Sequence, residues 1–394
     1  MTNEAHFAFP NATINQPTTG GHPADRRFGP ADPVRIEDPL LMIRRTWFLM
    51  AAACVGAIAQ TGYTVSNDRL SISVERKGGA FQRLYLLDDS EKRSPLSSTH
   101  GHFLCADAFG PPSKEEREAG FPAHGEAHLQ EWALDEQSKT GKIATLKSSA
   151  RLPLAGERFA RTVRLVDGEQ VIYVSSTLEN LTPIDRPVVW QEHATLGAPF
   201  LSPGKAVIDI SAQRAMTRPP RPGMANRFKP GQEFTWPMAP SVDGSPIDLR
   251  QTPAAVTNSI TTQLMPRNGL AYATALNLDQ HLLIGWVFRG DSFPWLQNWE
   301  SYAAEGQLYR GLEFGLTAFG APRREIVSMG KLMDTPLYSW LPAKGKIEAG
   351  FLIFLTRAPE RMRGVDRITM DGGGLLIEDL KTGVQVRLAA SLSW

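Results

Sequence analysis

Two histidines and a carboxylate alternate in a short segment in the first half of the chain. Pro122 to Trp132 reads Pro-Ala-His-Gly-Glu-Ala-His-Leu-Gln-Glu-Trp, which places His124, Glu126 and His128 at alternate positions. In a β-strand, residues i, i+2 and i+4 project from the same face. The segment therefore predicts a strand with a polar triplet on one face, and burial of such a triplet requires partners. Imidazole and carboxylate groups so arranged could exchange protons, hold a metal ion or form a structural network.

Two more residues of the same kinds lie later in the chain, each in an apolar strand pattern. His193 precedes a Gly-Ala-Pro-Phe turn, and Glu313 lies in the run Gly-Leu-Glu-Phe-Gly-Leu. Histidine titrates near neutral pH, and an apolar setting raises the pKa of a glutamate toward the same range. Such a pair can supply the acid and the base of a proton-transfer reaction. Taken singly, each side chain is also typical of an ordinary core or surface position.

Three short motifs occur in order along the chain. They are His124-Gly125, then His-Ala-Thr-Leu-Gly-Ala-Pro-Phe beginning at His193, then Gly-Leu-Glu-Phe-Gly around Glu313. Over roughly residues 68–358, they resemble the motifs of the aldose 1-epimerase (galactose mutarotase-like) family. The family's His-Gly-Phe-Ala-Arg is here His-Gly-Glu-Ala-His, and its Tyr-Asp-His segment has no clear counterpart. The chain therefore resembles a divergent branch.

The resemblance implies a fold, a reaction and a set of catalytic residues. The fold would be all-β, a large antiparallel β-sandwich of the galactose mutarotase-like supersandwich type. The reaction would interconvert the α and β anomers of a sugar through ring opening, with no cofactor and no metal. Glu313 would be the general base, His193 the general acid on the opposite side of the sugar, and His124 a hydrogen-bonding partner near the ring oxygen.

The remaining candidate residues would bind the sugar, a mono- or oligosaccharide. Glu126 and His128 stand near the position of the family's arginine and are expected to be specificity residues of this branch. Three tryptophans could supply apolar faces to a sugar ring, although core packing explains each equally well. These are Trp190, Trp295 and Trp299.

Two other functions remain open on the sequence alone. His100 and His102, with the alternating triplet, offer metal ligands at strand spacing, as in a metal-dependent β-barrel enzyme. The spacing departs from the helical His-Glu-x-x-His zinc pattern, and no second histidine-rich hairpin follows. Alternatively, the protein binds carbohydrate without catalysis, and the same acidic and basic side chains only hold hydroxyl groups.

Short alternating segments separated by turn residues dominate the chain from residue 62 onward. Residues 158–166, the dipeptide Asp167-Gly168 and residues 170–178 form a strong hairpin pattern. No stretch shows a long helical period with caps, and strands at this spacing are typical of a sandwich or barrel. The sequence therefore predicts one β-sandwich domain over residues 60–394.

The first 59 residues differ from the rest in composition. Residues 1–41 are polar and rich in Pro and Gly, which predicts disorder or an extension upstream of a true start at Met42. Residues 42–59 combine an Arg-Arg pair, an apolar stretch and an Ala-Ile-Ala end, as in a secretory signal peptide, although a buried helix is an alternative. We therefore expect an exported protein, periplasmic or secreted, with no stable membrane insertion after signal removal.

Charge and cysteine content restrict the partners and the crosslinks. Lys and Arg total 42 against 41 Asp and Glu, a formal net charge of +1, which gives no indication of a nucleic-acid or anionic-membrane partner. Of the two cysteines, only Cys105 would remain after signal cleavage. No intramolecular disulfide is then expected.

Overall fold

The computed structural model describes residues 62–218, 227–254, 257–302 and 308–394. The predicted extension (residues 1–41) and the predicted signal peptide (residues 42–59) lie outside the described residues. In the described part, two large antiparallel sheets pack against each other, and the remaining strands form four small sheets. The predicted fold class, a large antiparallel β-sandwich, is confirmed.

The first large sheet has ten strands in the described residues. Its strands are β1 (Gly62–Ser66), β2 (Leu70–Glu75), β3 (Phe81–Leu86), β4 (His102–Ala106), β10 (Trp190–Gly197), β12 (Arg214–Thr217), β13 (Glu233–Thr235), β16 (Thr257–Leu264), β19 (Trp295–Tyr302) and β20 (Leu308–Gly315). Their order across the sheet is β1-β2-β3-β4-β10-β20-β19-β16-β12-β13. Strands β4, β10, β20, β19 and β16 are thus central neighbours although they are distant in sequence.

The second large sheet has eight strands in the same ranges. They are β5 (Ala133–Thr140), β6 (Ile143–Leu152), β7 (Glu157–Val166), β8 (Val171–Asn180), β11 (Ala206–Ile210), β17 (Leu270–Asn277), β18 (Leu282–Arg289) and β24 (Lys346–Arg357). Their order is β11-β17-β18-β24-β8-β7-β6-β5. The predicted hairpin around Asp167-Gly168 is confirmed as the antiparallel pair β7–β8.

The small elements connect and cover these sheets. The short strands are β9 (Arg186–Val188), β14 (Met238–Ala239), β15 (Ile247–Asp248), β21 (Lys331–Leu332), β22 (Thr335–Pro336), β23 (Ser339–Leu341), β25 (Arg367–Asp371), β26 (Gly374–Asp379) and β27 (Val384–Ala389). The helices are α1 (Lys114–Glu118), α2 (Arg323–Met329) and a 3-10 turn, Ala127–Leu129. No helix in the described ranges is long and apolar enough to cross a membrane.

Apolar side chains from the inner faces of both sheets form the main core. Leu104, Leu312 and Phe314 contribute from the first sheet, and Phe159 and Trp286 contribute from the second. These side chains are completely or almost completely buried. Because side chains alternate along a strand, the residues between them on β4 and β20 project from the outer face of the first sheet.

The segment around His124 is not a strand, contrary to the sequence prediction. His124 and Gly125 have left-handed backbone angles (φ of 65° and 76°), and a 3-10 turn follows. A Cβ atom at position 125 would lie 2.1 Å from the carbonyl oxygen of Ala106, so this close approach requires glycine. Consecutive left-handed residues break the strand alternation. His124, Glu126 and His128 therefore do not share a strand face.

Candidate functional site

Five residues form one row across five neighbouring strands on the outer face of the first sheet. In order they are Phe103, His193, Glu313, Gln297 and Thr262, each directly opposite the next. Directly opposite residues in antiparallel strands have Cβ atoms about 4.5–5.5 Å apart. The strand register therefore brings the predicted acid and base together at the centre of the sheet.

Two glycines leave room for the carboxyl group of Glu313. Gly311 and Gly315 lie two positions before and after it, so they share its face. A Cβ at position 311 would lie 2.3 Å from Oε1 of Glu313, and one at position 315 would lie 1.9 Å from Oε1 of Gln191. The motif Gly-Leu-Glu-Phe-Gly thus has a packing explanation, because each glycine makes space for a buried polar side chain.

Glu313 and His193 contact each other directly. Nε2 of His193 lies 3.3 Å from Oε1 of Glu313, and both side chains are buried. Burial raises the pKa of Glu313 to about 8. Burial also lowers the pKa of His193 well below its usual value. At neutral pH the carboxyl group is therefore protonated and the imidazole neutral, and the pair carries one proton between Oε1 and Nε2.

Hydrogen bonds on both sides orient this pair. Nδ1 of His193 lies 3.0 Å from Oγ1 of Thr195. Gln297 donates an amide N–H to Oε2 of Glu313, and Nη1 of Arg218 donates to Oε1 of Gln297 at 2.9 Å. Because a guanidinium group only donates, Arg218 fixes which end of the Gln297 amide faces the carboxyl group. Oε2 of Glu313 is then an acceptor, and the carboxyl proton lies on Oε1, facing His193.

The predicted acid and the predicted base lie on the same wall of the site, whereas the resemblance implied opposite sides of a sugar. Adjacent strands of one sheet carry both His193 and Glu313, and their reactive atoms are in contact. The correction follows from the register, which the sequence does not display. Ring opening is compatible with this arrangement, because the two oxygens that exchange protons are bonded to the same anomeric carbon.

His124 lies beside the pair, and its ring orientation follows from two contacts. Its ring centroid is 5.4 Å from that of His193. The backbone N–H of Gly110 donates to Nδ1 of His124 at 3.4 Å, and Sγ of Cys105 lies 3.4 Å from the same nitrogen. A backbone amide only donates, so Nδ1 is an acceptor and the proton of the neutral ring lies on Nε2.

We expect His124 to be the Nε2–H tautomer, with Cys105 helping to hold it. Burial raises the pKa of the Cys105 thiol, so the thiol stays protonated and can donate. Nitrogen-15 NMR of the histidine side chains at neutral pH, with His124→Gln to identify the signals, is expected to show a proton on Nε2 only. Cys105→Ser should keep this pattern, and Cys105→Val should weaken it. A proton on Nδ1 of the wild-type ring would contradict the assignment.

Four residues of this row, Phe103, His193, Glu313 and Gln297, lie at the floor of a cavity of about 520 Å³. This volume is within the range of about 300–1,000 Å³ that small-molecule sites have. Three of the candidate residues from the sequence, His124, His128 and Trp299, line the cavity. Several other lining residues have no signal of their own in the sequence that marks them as candidates: Glu75, Lys77, Gln82, Thr99 and Gln297. Alternation from Trp299 would have identified Gln297, which lies two positions earlier on the same strand face.

Two of the three predicted tryptophans lie outside the cavity. Trp190 is three positions before His193 on one strand, so it projects from the inner face, where it is 1% exposed. Trp295 shares the outer face with Trp299, but its Nε1 donates to the carbonyl oxygen of Pro336 at 2.8 Å under the segment that covers it. Only Trp299 of these three is half-buried and lines the cavity.

Glu126 also lies outside the cavity, unlike His128. Oε1 of Glu126 accepts the backbone N–H of Ala155 at 2.8 Å, and Oε2 accepts the side-chain amide of Gln130 at 3.1 Å. The carboxylate therefore holds the turn between β6 and β7. Its contacts are structural, because the 3-10 turn directs it away from the residues that line the cavity.

The histidines that suggested a metal site separate in the structure. His100 lines the cavity, whereas His102 is buried on the inner face with Nε2 3.0 Å from Oε2 of Glu192. Across residues 62–394, apart from the three gaps given above, no group of three or more His, Cys, Asp or Glu side chains could hold a metal ion.

Comparison with solved structures identifies the fold. A galactose mutarotase-related enzyme from Lactobacillus acidophilus has a TM-score of 0.53 at 11% identity, over 77% of this chain and 99% of that chain. A galactose mutarotase-like protein from Lactobacillus casei has a TM-score of 0.53 at 13% identity, over 75% and 100%. A provisionally named aldose 1-epimerase from Escherichia coli has a TM-score of 0.52 at 14% identity, over 75% and 99%.

These similarities are similarities of structure. No protein-family model matches the chain, and no curated protein matches it significantly. At identities of 11–14%, similarity to solved structures shows the fold alone. The chain therefore has the galactose mutarotase-like fold, in a form of divergent sequence.

Proposed function

We propose that this protein interconverts the α and β anomers of an aldose by acid–base ring opening in the cavity above Glu313 and His193. The observation that carries the proposal is the buried contact between these two side chains, which share one proton at the floor of the cavity. Anomer exchange requires one group that donates a proton and one group that accepts a proton, and it involves no redox step. The galactose mutarotase-like fold is consistent with such chemistry.

Glu313 and His193 can together supply and recover every proton that moves during ring opening and ring closing. In opening, one group donates a proton to the ring oxygen while the other takes the proton of the anomeric hydroxyl, the bond between the anomeric carbon and the ring oxygen breaks, and an aldehyde forms. After rotation about the bond between the first two carbons, the ring oxygen attacks the aldehyde from the other face. Each group then reverses its role, so the site returns to its starting protonation.

The shared proton allows either assignment of roles. In the resting site the proton lies on Glu313, so Glu313 is the acid and His193 the base for the first proton transfers. Transfer along the 3.3 Å contact converts this state into the one in which Glu313 is the base and His193 the acid. The Nε2–H of His124 supplies a hydrogen bond to an oxygen of the substrate.

Trp299 supports the proposal as an apolar surface beside the pair. Its ring centroid is 6.0 Å from that of His193, and its Nε1 donates to Oδ1 of Asn258 at 3.3 Å. It also stacks on Tyr309, with 16° between the ring planes. A ring fixed in this way can pack against the C–H face of a sugar with little loss of side-chain entropy.

Exchange NMR on a panel of aldoses tests the activity. Addition of the protein is expected to accelerate exchange between the α and β signals of at least one aldose over buffer alone. No acceleration with any aldose would exclude the reaction and leave carbohydrate binding as the function.

We propose that the protein acts after export. This proposal rests on residues 42–59 alone, and N-terminal sequencing of the secreted protein tests it.

The pH dependence of the rate is expected to be bell-shaped. Above about pH 8 Glu313 ionises while His193 is neutral, so the pair has no proton to donate. At a pH well below the usual histidine pKa, His193 also becomes protonated and no base remains. Polarimetric rates corrected for buffer catalysis should therefore fall on the alkaline side near pH 8. A rate that stays constant through this pH would contradict the assignment of Glu313.

A further inference from the structure

The cavity continues well beyond the acid–base pair, toward β2 and β3. Glu75 at the end of β2, Gln82 on β3 and Phe103 on β4 all line it, as does His193 on β10. From β2 to β10 there are three strand spacings, about 14 Å at roughly 4.8 Å each. A single pyranose ring with its hydroxyl groups spans less than two such spacings, roughly 10 Å. A sugar ring reacting at His193 therefore leaves the β2 end of the cavity vacant.

The volume of the cavity leads to the same conclusion as its length across the strands. At about 30 Å³ for each water in the liquid, a cavity of 520 Å³ corresponds to roughly 17 waters. One aldohexose has only about twelve non-hydrogen atoms, and covalent bonds bring them closer together than separate waters. The cavity therefore has room for a ligand larger than one sugar ring.

The far end of the cavity is a rigid wall formed by the turn between β2 and β3. The N–H of Gly78 donates to the carbonyl of Gln130 at 2.8 Å, and the N–H of Trp132 donates to the carbonyl of Arg76 at 2.7 Å. Cβ atoms at positions 78 and 79 would lie 2.5 Å from the carbonyl oxygen of His128 and the ring of Trp132. The turn is therefore packed against residues 128–132, the segment that the sequence singled out.

This wall presents polar groups whose hydrogen-bonding capacity is not used by the described residues. The carboxylate of Glu75 and the ammonium of Lys77 both line the cavity, and neither forms a side-chain hydrogen bond or an ion pair with another described residue. Nδ1 of His128, in the same wall, is buried. An acceptor and a donor side by side on a rigid turn suit neighbouring hydroxyl groups, which both donate and accept.

We propose that Glu75 and Lys77 bind the hydroxyl groups of a second sugar ring, so that the substrate is the reducing end of an oligosaccharide rather than a free monosaccharide. This inference rests on the proposed function, because it places the reducing ring at Glu313 and His193. Gln82, on β3, lines the cavity between the two positions and would contact the linkage between the rings. The presence of both charge signs at the wall favours a neutral second ring over an anionic one.

Anomer exchange of disaccharides and of their reducing monosaccharides tests the proposal. For the wild type, kcat/KM is expected to be higher for a reducing disaccharide, from a panel of maltose, cellobiose and lactose, than for glucose. In Glu75→Gln and Lys77→Met the ratio of disaccharide to monosaccharide kcat/KM should fall about tenfold, the effect of losing one hydrogen bond to a charged group. Lys142→Met, at an exposed turn of the second sheet, is the matched control and should keep the wild-type ratio.

Binding of methyl glycosides, which cannot open, separates this proposal from the proposed reaction. Calorimetry should show tighter binding of methyl maltoside than of methyl glucoside, and Lys77→Met should remove the difference. That result supports the second position even if exchange is never accelerated. The proposal would be overturned if both variants kept the wild-type ratio of kcat/KM values, or if they lost kcat/KM equally for disaccharides and monosaccharides. It would also be overturned if Lys77→Met lowered kcat/KM only for glucose 6-phosphate, tested as an additional substrate, because Lys77 would then bind a phosphate group.

Discussion

Replacing Glu313 with Gln is expected to lower kcat/KM for anomer exchange by about 10²- to 10⁴-fold, the usual contribution of a positioned acid–base group. The substitution keeps the shape of the side chain and removes its proton exchange. Its amide can still accept from Gln297 and donate to Nε2 of His193, so the contacts of the buried site persist. Exchange NMR with the substrate that reacts fastest measures the effect.

Glu313→Gln should lower activity without lowering the free energy of unfolding, and this difference separates a loss of chemistry from a loss of fold. The pKa of Glu313 rises on folding from its usual 4.5 to about 8, so the folded state binds more protons between these values. Glu313 therefore contributes a fall in stability as the pH rises through this interval. Glu313→Gln should remove this contribution, and urea unfolding of both proteins at pH values on either side of the interval measures the difference.

Glu126→Gln is the matched control for Glu313→Gln. Both positions carry buried glutamates, and the sequence pattern favoured Glu126 as a substrate-binding residue, but its carboxylate contacts Ala155 and Gln130 outside the cavity. We expect kcat/KM to change less than about threefold, because no atom of Glu126 faces the cavity. A loss in the control as large as in Glu313→Gln would show that the reacting groups lie elsewhere.

The fold could be predicted from the sequence because alternation and turn residues repeat along the whole domain. The β7–β8 hairpin around Asp167-Gly168 is an example, since both strands and the turn have strong local signals. His193 and Glu313 could be selected because polar residues stand out in apolar strands. The direct contact between His193 and Glu313 could not be predicted, because the register between strands that are distant in sequence depends on the packing of the whole sheet.

The errors at the site have two physical causes. Alternation around His124 resembled a strand, but Gly125 is required by close approach to a carbonyl oxygen rather than by any local pattern. Trp190 could have been excluded by parity, because an odd separation from His193 places it on the other face. Trp295 has the correct parity, and only the covering segment near Pro336 removes it from the cavity.

A second polar cluster lies behind the site, on the inner face of the first sheet, and its ionisable members are too far apart in the sequence for any local pattern to connect them. Glu192 precedes His193 and projects into the core, where its carboxylate contacts Arg161, Nε2 of His102 at 3.0 Å and Nε1 of Trp190 at 2.9 Å. Glu192 and Arg161 are buried, and Nη1 of Arg161 has no hydrogen-bond partner among the described residues. The ion pair holds β10 against β7, which positions the strand that carries His193.

Glu192→Leu should destabilise the protein by about 3–5 kcal/mol, because it leaves the guanidinium of Arg161 buried without a counter-ion. Urea unfolding measures this loss as a lower midpoint. Adding Arg161→Met should restore much of the stability, since two apolar side chains can replace a buried pair at little cost. Arg214→Met is the matched control, because the Arg214–Glu233 pair is about half exposed and should contribute less than about 1 kcal/mol. If the double variant were no more stable than Glu192→Leu, the cost would come from lost packing around Glu192 instead of the unpaired charge.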